Sequence, residues 1–294
     1  MARHDASALP CPDVRFEPGF GRRLEALAAR LALARERREG GGVPSLLGSG
    51  AEFVGYRPYA RGDDLRSLDW DLWARARRPW IRVSRREAGE RWLVRLDASA
   101  SMGVGPPGKL QRAAEVVAGI AALGAKSGAE VRVVVASDAI ERAQPRALLL
   151  RRRGQIAELL AFLELLRAGG ASGPPPTQQE LAQVARVFLV GDLRDLGPEA
   201  ALALRASGRA LSVIQILAPV EITPPPGASV EWWDPERGAR LALALDAPTK
   251  SAYESELEAE IESWRTLSAR RGVSYVCSST ALSFEEILAR SGAT

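Results

Sequence analysis

The chain has 294 residues, enough for one large or two modest domains, and its hydrophobic fraction of 46% is ample for a buried core. One histidine and two distant cysteines, Cys11 and Cys277, exclude a Ser–His–Asp triad, a histidine-rich zinc site and a disulfide framework. The formal net charge is +4 and basic residues are interleaved with acidic ones, so we expect no nucleic-acid surface. Because we find no membrane-spanning run and no signal peptide, we expect a cytoplasmic protein without membrane insertion.

The first part of the chain predicts an extension that precedes the main domain. Residues 1–18 are polar and are expected to be loose, and apolar residues at helical spacing predict a helix over 20–38. An aromatic and charged segment follows, with short strands predicted at 52–56 and 80–85. We therefore expect region 19–90 to be an N-terminal helical and β extension that packs on the core.

From residue 91 to the end, apolar strand patterns alternate with helical patterns. The predicted strands cover residues 92–97, 130–136, 186–191, 210–217 and 273–278. The predicted helices cover residues 110–126, 154–167, 178–185, 198–206 and 249–271. Continuous Val, Leu and Ile strands in alternation with helices are typical of a mostly parallel sheet that is covered on both faces. Residues 91–294 are therefore predicted to form an α/β domain.

The strand at 92–97 stops abruptly at an acid and two hydroxyl residues. Asp97, Ser99 and Ser101 occupy alternating positions, so one carboxylate and two hydroxyl oxygens can face the same point. This is the carboxyl end of a strand, where open α/β sheets bind their ligands, and hard oxygen atoms suit Mg²⁺ or Mn²⁺. The alternative is a strand-end aspartate with two serines that cap the next turn.

A second acid, Asp192, directly follows the predicted strand at 186–191. Because a parallel sheet brings the carboxyl ends of its strands together, Asp192 can meet Asp97 in one crevice. Two strand-end acids favour the metal interpretation over simple capping. Asp138 follows another strand on the same edge, but an ordinary turn aspartate is the favoured interpretation there.

Segment 103–109 matches part of a phosphate-binding loop, Gly-x-x-x-x-Gly-Lys. Leu110 stands where a serine or threonine would hold Mg²⁺, and Pro106 and Pro107 lack the N–H groups that would bind phosphate. The favoured interpretation is a surface turn in which Lys109 starts the next helix. A degenerate NTPase that uses Lys109 stays an alternative.

The charged segment also contains a group of acids. Asp63, Asp64 and Asp69 lie within seven residues, a spacing that can gather a catalytic metal pair. Arginines are interleaved with them at positions Arg57, Arg61, Arg66 and Arg75. These guanidinium groups favour structural ion pairs over catalysis. A metal-dependent hydrolase that uses these acids together with Asp97 is a further alternative, weakened because no general base other than a carboxylate is available.

Together these segments resemble an uncharacterised bacterial family, domain of unknown function 58. The resemblance covers residues 45–290 and is most specific over 52–102, where it includes the motif that ends the strand at Asp97. The other residues that carry it are Glu52, Tyr56, Arg57, Gly62, Asp63, Asp64, Arg66, Asp69, Trp70 and Arg75. We expect these residues to be structural or to face a partner.

The resemblance implies a von Willebrand factor A-like, Rossmann-like fold and a metal-ion-dependent adhesion site. Such a site would hold Mg²⁺, or Mn²⁺, through Asp97, Ser99 and Ser101 with help from Asp192. The related pattern adds a threonine on a Gly-Gly-Thr loop and a serine before the second acid. Here the loop reads Gly-Gly-Ala-Ser from residue 169, so the candidates to replace the threonine are Ser172 and Thr177, and Gly191 stands in place of the serine.

The resemblance also implies a partner, because members of this family often accompany MoxR-type AAA+ ATPases in chaperone-like assembly systems. We therefore expect a non-enzymatic, metal-dependent protein-binding module that acts with such an ATPase on an unknown protein client. In this module an open position on the metal ion would accept a carboxylate of the client.

Overall fold

The structure is a computed structural model. It describes residues 14–38, 51–60, 68–86, 90–106, 108–138, 146–151, 153–194, 196–224, 229–233, 240–244 and 246–291. The chain forms two compact units, of which the larger comprises residues 1–40 and 90–294 and the smaller comprises residues 41–89. No helix within these described ranges combines the length and the hydropathy needed to cross a membrane.

The strands and helices alternate through most of the larger unit. In chain order the strands are β1 (Ala51–Pro58), β2 (Trp80–Arg86), β3 (Arg91–Asp97), β4 (Glu130–Ala136), β5 (Ala147–Leu150), β6 (Val184–Gly191), β7 (Ala210–Leu217), β8 (Ser229–Trp233), β9 (Arg240–Ala244) and β10 (Ser274–Ser279). The helices are α1 (Phe20–Arg38), α2 (Trp70–Ala76), α3 (Lys109–Lys126), α4 (Ile156–Glu164), α5 (Pro198–Ala203), α6 (Pro219–Ile222), α7 (Ala247–Arg271) and α8 (Phe284–Arg290).

A six-stranded sheet with the order β10-β7-β6-β3-β4-β5 forms the centre of the larger unit. All its strands are parallel except β5, which pairs antiparallel with β4 at one edge. β3 lies between β4 and β6, with Leu96 opposite Val190 and Asp97 opposite Ala136. The carboxyl ends of β3 and β6 therefore lie side by side, and the residues that follow them start from the same edge.

Side chains from the two faces of the sheet enter two separate hydrophobic clusters. On β3, Trp92, Val94 and Leu96 join the cluster formed with α1, α3, α4 and α8. Leu93 joins the cluster on the opposite face, which includes Trp264 of α7. Because both faces are covered by helices, the central strands consist of nearly continuous apolar runs. The predicted α/β class, a mostly parallel sheet with helices on both faces, is confirmed.

Helix α3 is the most deeply buried helix among the described elements, and its first residue lies at the carboxyl edge of the sheet. Small residues allow this depth: at Gly124 a Cβ atom would lie only 2.8 Å from the Trp92 ring. The helix consequently starts inside the protein, and the side chain of Lys109, its first residue, is fully buried.

The predicted extension, region 19–90, is divided between the two units. Helix α1 belongs to the larger unit, where Phe20 and Leu24 are buried in the same cluster as α3. The smaller unit contains α2 and the antiparallel pair β1 and β2, in which Tyr56 lies opposite Arg82. The expected packing of this segment on the core stays a prediction.

Two kinds of local prediction fail. The helix predicted at 178–185 is wrong: residues 178–183 form turns, and β6 begins at Val184 because Gln183 adopts a left-handed φ of 61° that a continuing helix cannot accommodate. Several short elements were not predicted, because too few residues display their periodicity. These elements are α2, α6, α8, β5, β8 and β9.

Candidate functional site

The end of β3 brings one carboxylate and three hydroxyl groups together. The Oδ1 atom of Asp97 accepts a hydrogen bond from the backbone N–H of Ser99 at 2.9 Å, and Oδ2 accepts one from the Ser172 hydroxyl at 3.1 Å. The Ser99 and Ser101 hydroxyls are buried and lie 3.0 Å apart. The three residues of the strand-end motif therefore do converge, and Ser172 joins them from a distant loop.

The loop that carries Ser172 is fastened to the strand end by backbone hydrogen bonds. The amide of Ala100 donates to the carbonyl of Gly170 at 2.8 Å, and the amide of Gly169 donates to the carbonyl of Ala98 at 2.9 Å. Asp138 adds a third attachment, because its Oδ1 atom accepts a hydrogen bond from the Ala171 amide at 2.7 Å. Asp138 thus positions the loop and is not itself part of the cluster around Asp97.

Thr177, the other candidate for the missing threonine, lies elsewhere in the hydrogen-bond network. Its hydroxyl donates to Oε2 of Glu180 at 3.1 Å and accepts a hydrogen bond from the Glu180 amide at 3.2 Å. This reciprocal arrangement caps a local turn. Of the two candidates, the structure therefore places Ser172 beside Asp97 and commits Thr177 to capping.

Asp192, at the end of β6, is almost completely buried, with 1% of its surface exposed. The Lys109 ammonium donates to its Oδ2 atom at 2.9 Å, and the Ser101 hydroxyl is a further hydrogen-bond partner. Its backbone carbonyl accepts a hydrogen bond from the Gln215 side chain at 3.0 Å. Ser101 thereby connects the group around Asp97 with the group around Asp192.

The predicted surface location of Lys109 is wrong. Its side chain is fully buried, and Nζ donates to Asp192 at 2.9 Å and to Oε1 of Glu221 at 2.7 Å. Two carboxylates compensate the charge of the buried ammonium, which explains why this lysine can leave solvent. An ammonium enclosed in this way does not face a phosphate, so the structure gives no support to a nucleotide site here.

The two strand-end acids have opposite electrostatic environments. Burial and then the nearby charge of Asp192 raise the pKa of Asp97 from 3.8 to about 6, although hydrogen bonds from Ser99 and Ser172 oppose the change. Burial alone would also raise the pKa of Asp192, but the charge and hydrogen bond of Lys109 outweigh it and lower that pKa below its usual value. No salt bridge joins Asp97 to a residue that the structure describes, but its charge opposes the lowering of the Arg95 pKa that burial causes.

Gly191 allows the two strand ends to approach this closely. A Cβ atom built at this position would collide with the Cβ atom of Asp97 and would lie 3.1 Å from its Oδ2 atom. The serine of the related pattern therefore cannot occupy this position without a shift of the strand ends. In the sequence this glycine is only a departure from the pattern, because its steric role depends on the distance between the two strand ends.

The oxygen atoms around Asp97 are chemically suited to a hard dication. The partly buried carboxylate lies near the charge of Arg95 without a salt bridge to it, and the hydroxyls of Ser99, Ser101 and Ser172 are within its hydrogen-bonded cluster. Mg²⁺ and Mn²⁺ prefer such oxygen ligands and need few carboxylates. A serine hydroxyl that binds a metal must give its hydrogen to another acceptor, and Asp192 is the available acceptor for Ser101.

A cavity of about 230 Å³ adjoins this cluster. Its lining includes Asp97 and Ser172 together with Arg95 and the apolar side chains of Leu189 and Leu193. The guanidinium of Arg95 donates to the carbonyl of Gly173 at 2.6 Å and so holds one wall in place. The site therefore offers polar oxygen atoms beside an apolar hollow.

Of the three acids in the charged segment, Asp69 is the one that the structure describes. The carboxylate of Asp69 accepts hydrogen bonds from the Leu72 amide and from the Tyr56 hydroxyl, each at 2.8 Å, and it caps the start of α2. The described residues contain no group of three or more His, Cys, Asp or Glu side chains placed to hold a metal ion. Asp69 consequently has a structural role in this segment.

The other residues of the predicted motif are distributed over the smaller unit. Glu52 lies on β1 opposite Arg85, and Trp70 is 62% exposed at the start of α2. Arg57 and Arg75 are exposed. Four motif residues lie outside the described residues, namely Gly62, Asp63, Asp64 and Arg66.

A comparison with models of protein families shows to which family the chain belongs. The family model described as "Protein of unknown function DUF58" matches residues 55–263. The chain belongs to the DUF58 family. No protein with a curated description matches this DUF58 chain significantly.

Two solved structures are among those to which the DUF58 chain is similar. The conserved hypothetical protein BatB from Bacteroides thetaiotaomicron is 17% identical, with a TM-score of 0.40, and the match covers 70% of this chain and 97% of BatB. An aerotolerance-related membrane protein from Bacteroides fragilis, with multiple mutations to serines, is 16% identical, with a TM-score of 0.38 and coverages of 69% and 98%. The strand order of the DUF58 chain is that of a mostly parallel α/β sheet, and the von Willebrand factor A-like assignment stays a prediction from the sequence resemblance.

Proposed function

We propose that this DUF58 protein is a non-enzymatic protein-binding module whose binding site is the cluster around Asp97. The observation that carries the proposal is the contrast in charge compensation at one sheet edge. Asp192 is paired with Lys109, whereas the partly buried carboxylate of Asp97 is surrounded by hydroxyl groups, forms no salt bridge with a described residue and has a raised pKa. A cation and a ligand that approaches with it would compensate that charge.

In this proposal, Asp97, Ser99, Ser101 and Ser172 would hold Mg²⁺ or Mn²⁺. The bound ion would supply an open position for an oxygen atom of a partner carboxylate. Asp192 accepts the hydrogen of Ser101, and Lys109 keeps Asp192 in place. Because the cluster around Asp97 contributes one negative charge and neutral hydroxyls, it leaves the charge of a dication partly uncompensated, which favours an acidic partner.

The proposed partners are a MoxR-type AAA+ ATPase and an acidic segment of a protein client. The cavity beside Asp97 suits such a segment, because its lining includes the positive charge of Arg95 and the exposed apolar rings of Pro174 and Pro175. The ATPase follows from the family resemblance, and the acidic chemistry follows from the charge of the site. The two enzymatic alternatives draw no support from the contacts of Lys109 and Asp69, which are committed to ion pairs and capping.

The proposal is tested by binding to a purified MoxR-type ATPase of the same genome, measured by biolayer interferometry in Mg²⁺ and in EDTA. The variants are Asp97→Asn and, as a matched control, Asp138→Asn. Asp138 is an exposed acid on the same edge, and asparagine retains the oxygen that accepts the Ala171 hydrogen bond. We expect binding by the wild type and the control in Mg²⁺, and a loss of about tenfold or more in EDTA or with Asp97→Asn.

Equal binding in all of these conditions would contradict the proposal, and so would turnover of a nucleotide or phosphoester that Asp97→Asn abolishes. Retention of the fold by Asp97→Asn, checked by circular dichroism, separates loss of binding from loss of structure. The sheet below the loop supports the site, so the variant is expected to fold.

A further inference from the structure

We propose that the ammonium group of Lys109 acts as a built-in cation of this site. It permanently neutralises Asp192, so that a divalent cation can bind only at Asp97. This inference rests on the proposed metal site at Asp97. Lys109 would then determine how tightly the metal binds and where it binds. The phosphate-loop motif, which predicts a lysine that contacts phosphate, does not suggest this role.

The first support is the enclosure of Lys109. Both the lysine and Asp192 are at most 1% exposed, and Nζ contacts two carboxylate oxygens at 2.9 and 2.7 Å. A cation between two carboxylates at such distances occupies a place that a metal ion would otherwise take in an oxygen-rich site. Asp192 is therefore already neutralised before any metal binds.

The second support is the way in which Glu221 is held. Its Oε2 atom accepts a hydrogen bond from the Ala218 amide at 2.8 Å, while its Oε1 atom receives the lysine. Its backbone carbonyl accepts a hydrogen bond from the Tyr253 hydroxyl at 2.7 Å. Glu221 lies on α6 and Asp192 follows β6, so the ammonium joins two elements that start from neighbouring parts of the sheet edge.

The third support is the direct connection between this ion pair and the proposed metal site. Asp192 interacts with Ser101, whose hydroxyl is 3.0 Å from that of Ser99, and Ser99 donates its amide hydrogen to Asp97. Any cation at Asp97 is therefore close to the positive charge of Lys109. Repulsion between the two cations weakens metal binding, and removal of the ammonium should strengthen it.

The test measures the affinity for Mn²⁺ by electron paramagnetic resonance and by calorimetry, with the metal alone as the probe. Lys109→Met removes the ammonium but keeps a long side chain. Lys109→Met combined with Glu221→Gln removes one positive and one negative charge, so the double variant has the net charge of the wild type while Asp192 is released. Lys126→Met, at the opposite and exposed end of α3, is the control for loss of a lysine charge.

We expect both Lys109 variants to bind Mn²⁺ about tenfold or more tightly than the wild type and Lys126→Met to resemble the wild type. We also expect Mn²⁺ to raise the melting temperature of the Lys109 variants by more than it raises that of the wild type, because binding to the folded state stabilises it. The double variant keeps the test valid if the single variant does not fold.

The outcomes separate this inference from the proposed function. Equal Mn²⁺ affinity in the wild type and in both Lys109 variants would overturn the inference and leave a metal site at Asp97 intact. Binding by the Lys109 variants but not by the wild type would support the built-in cation and contradict a metal-dependent function. Absence of Mn²⁺ binding in every variant would overturn both.

Discussion

The carboxyl ends of β3 and β6 carry the same acidic residue type at adjacent positions, yet their environments are opposite. Asp192 is paired with a buried ammonium, and its pKa is lowered. Asp97 is surrounded by hydroxyl and amide groups, and its pKa is raised to about 6. The difference shows that the position of a strand end determines which acids meet, whereas partners from distant parts of the sequence determine which of them can receive an external ligand.

The largest effect on stability is expected when Asp192 loses its lysine partner and so resembles Asp97, which has none among the described residues. Lys109→Met leaves the buried Asp192 without its ammonium partner, while Glu221 keeps Arg194 at 3.8 Å. Removal of one partner of a buried ion pair costs about 3–5 kcal/mol of unfolding free energy. Urea denaturation in EDTA measures this cost, with Lys126→Met as the control within about 0.5 kcal/mol of the wild type. A loss below about 1 kcal/mol for Lys109→Met would show that the pair is not a stabilising feature of the fold.

A second variant removes the unfavourable charge at the other strand end. The pKa of Asp97 rises from 3.8 to about 6 in the folded protein, so the folded state binds more protons between these values. The protonated Asp97 therefore stabilises the folded state below about pH 4, and this contribution is lost as the pH rises to about 6. The contribution that is lost is about 2–3 kcal/mol of unfolding free energy.

Asp97→Asn does not titrate, so we expect it to be more stable than the wild type at pH 7 in EDTA. The stability difference between the two proteins should narrow as the pH falls from 7 to 4. Urea denaturation at several pH values measures this difference, and the variant serves as the reference for all other titrating groups. A difference that does not change with pH would mean that Asp97 has an ordinary pKa.

A third variant tests the close approach that brings the two acids together. Gly191→Ala places a Cβ atom against Asp97, and overpacking of this kind costs about 1–3 kcal/mol. Gly197→Ala is the matched control, because a Cβ atom there meets no atom within 4 Å. We also expect Gly191→Ala to weaken Mn²⁺ binding. If Gly191→Ala had the stability and the Mn²⁺ affinity of the wild type, the two strand ends would not be in the close contact that the structure shows.

The smallest effect is expected in the charged segment, outside the sheet edge. Asp69→Ala removes the cap of α2 and the hydrogen bond with Tyr56, at a cost of about 1–2 kcal/mol. Asp69→Asn retains a capping side chain and should lose less. Thermal unfolding followed by tryptophan fluorescence measures both, since Trp70 and Trp73 adjoin the cap. If Asp69→Ala were fully stable but no longer bound Mn²⁺, the proposal that Asp97 holds the metal would be wrong.

The parallel sheet and its ligand-binding edge could be predicted from the sequence because both depend on local patterns. Apolar runs identify the central strands, and parallel strands necessarily end at one edge. Helix α7 is equally well marked, with Asp246 as its cap and Gly272 at its end. The capping box of Ser283 and Glu286 also marks the start of α8, a helix that is too short for its periodicity to predict it.

The partners of the two acids could not be predicted in the same way, because they depend on contacts between distant residues. Lys109 is separated by 83 residues from Asp192 and by 112 from Glu221, and no local pattern links them. A lysine at the first position of a helix resembles an exposed residue unless the depth of the helix is known. The choice between Ser172 and Thr177 likewise depends on the loop attachments that lead to Asp97.

The location of Mn²⁺ in crystals of the wild-type protein distinguishes the two strand ends in one measurement. Anomalous diffraction from crystals soaked in Mn²⁺ should show a peak within coordination distance of Asp97 and the serine hydroxyls, with Lys109 still bonded to Asp192 and Glu221. Crystals of Asp97→Asn should lack that peak. A peak between Asp192 and Glu221 with Lys109 displaced, or no peak in the wild type, would contradict the account in which Asp97 can bind a metal ion and Asp192 is already neutralised by Lys109.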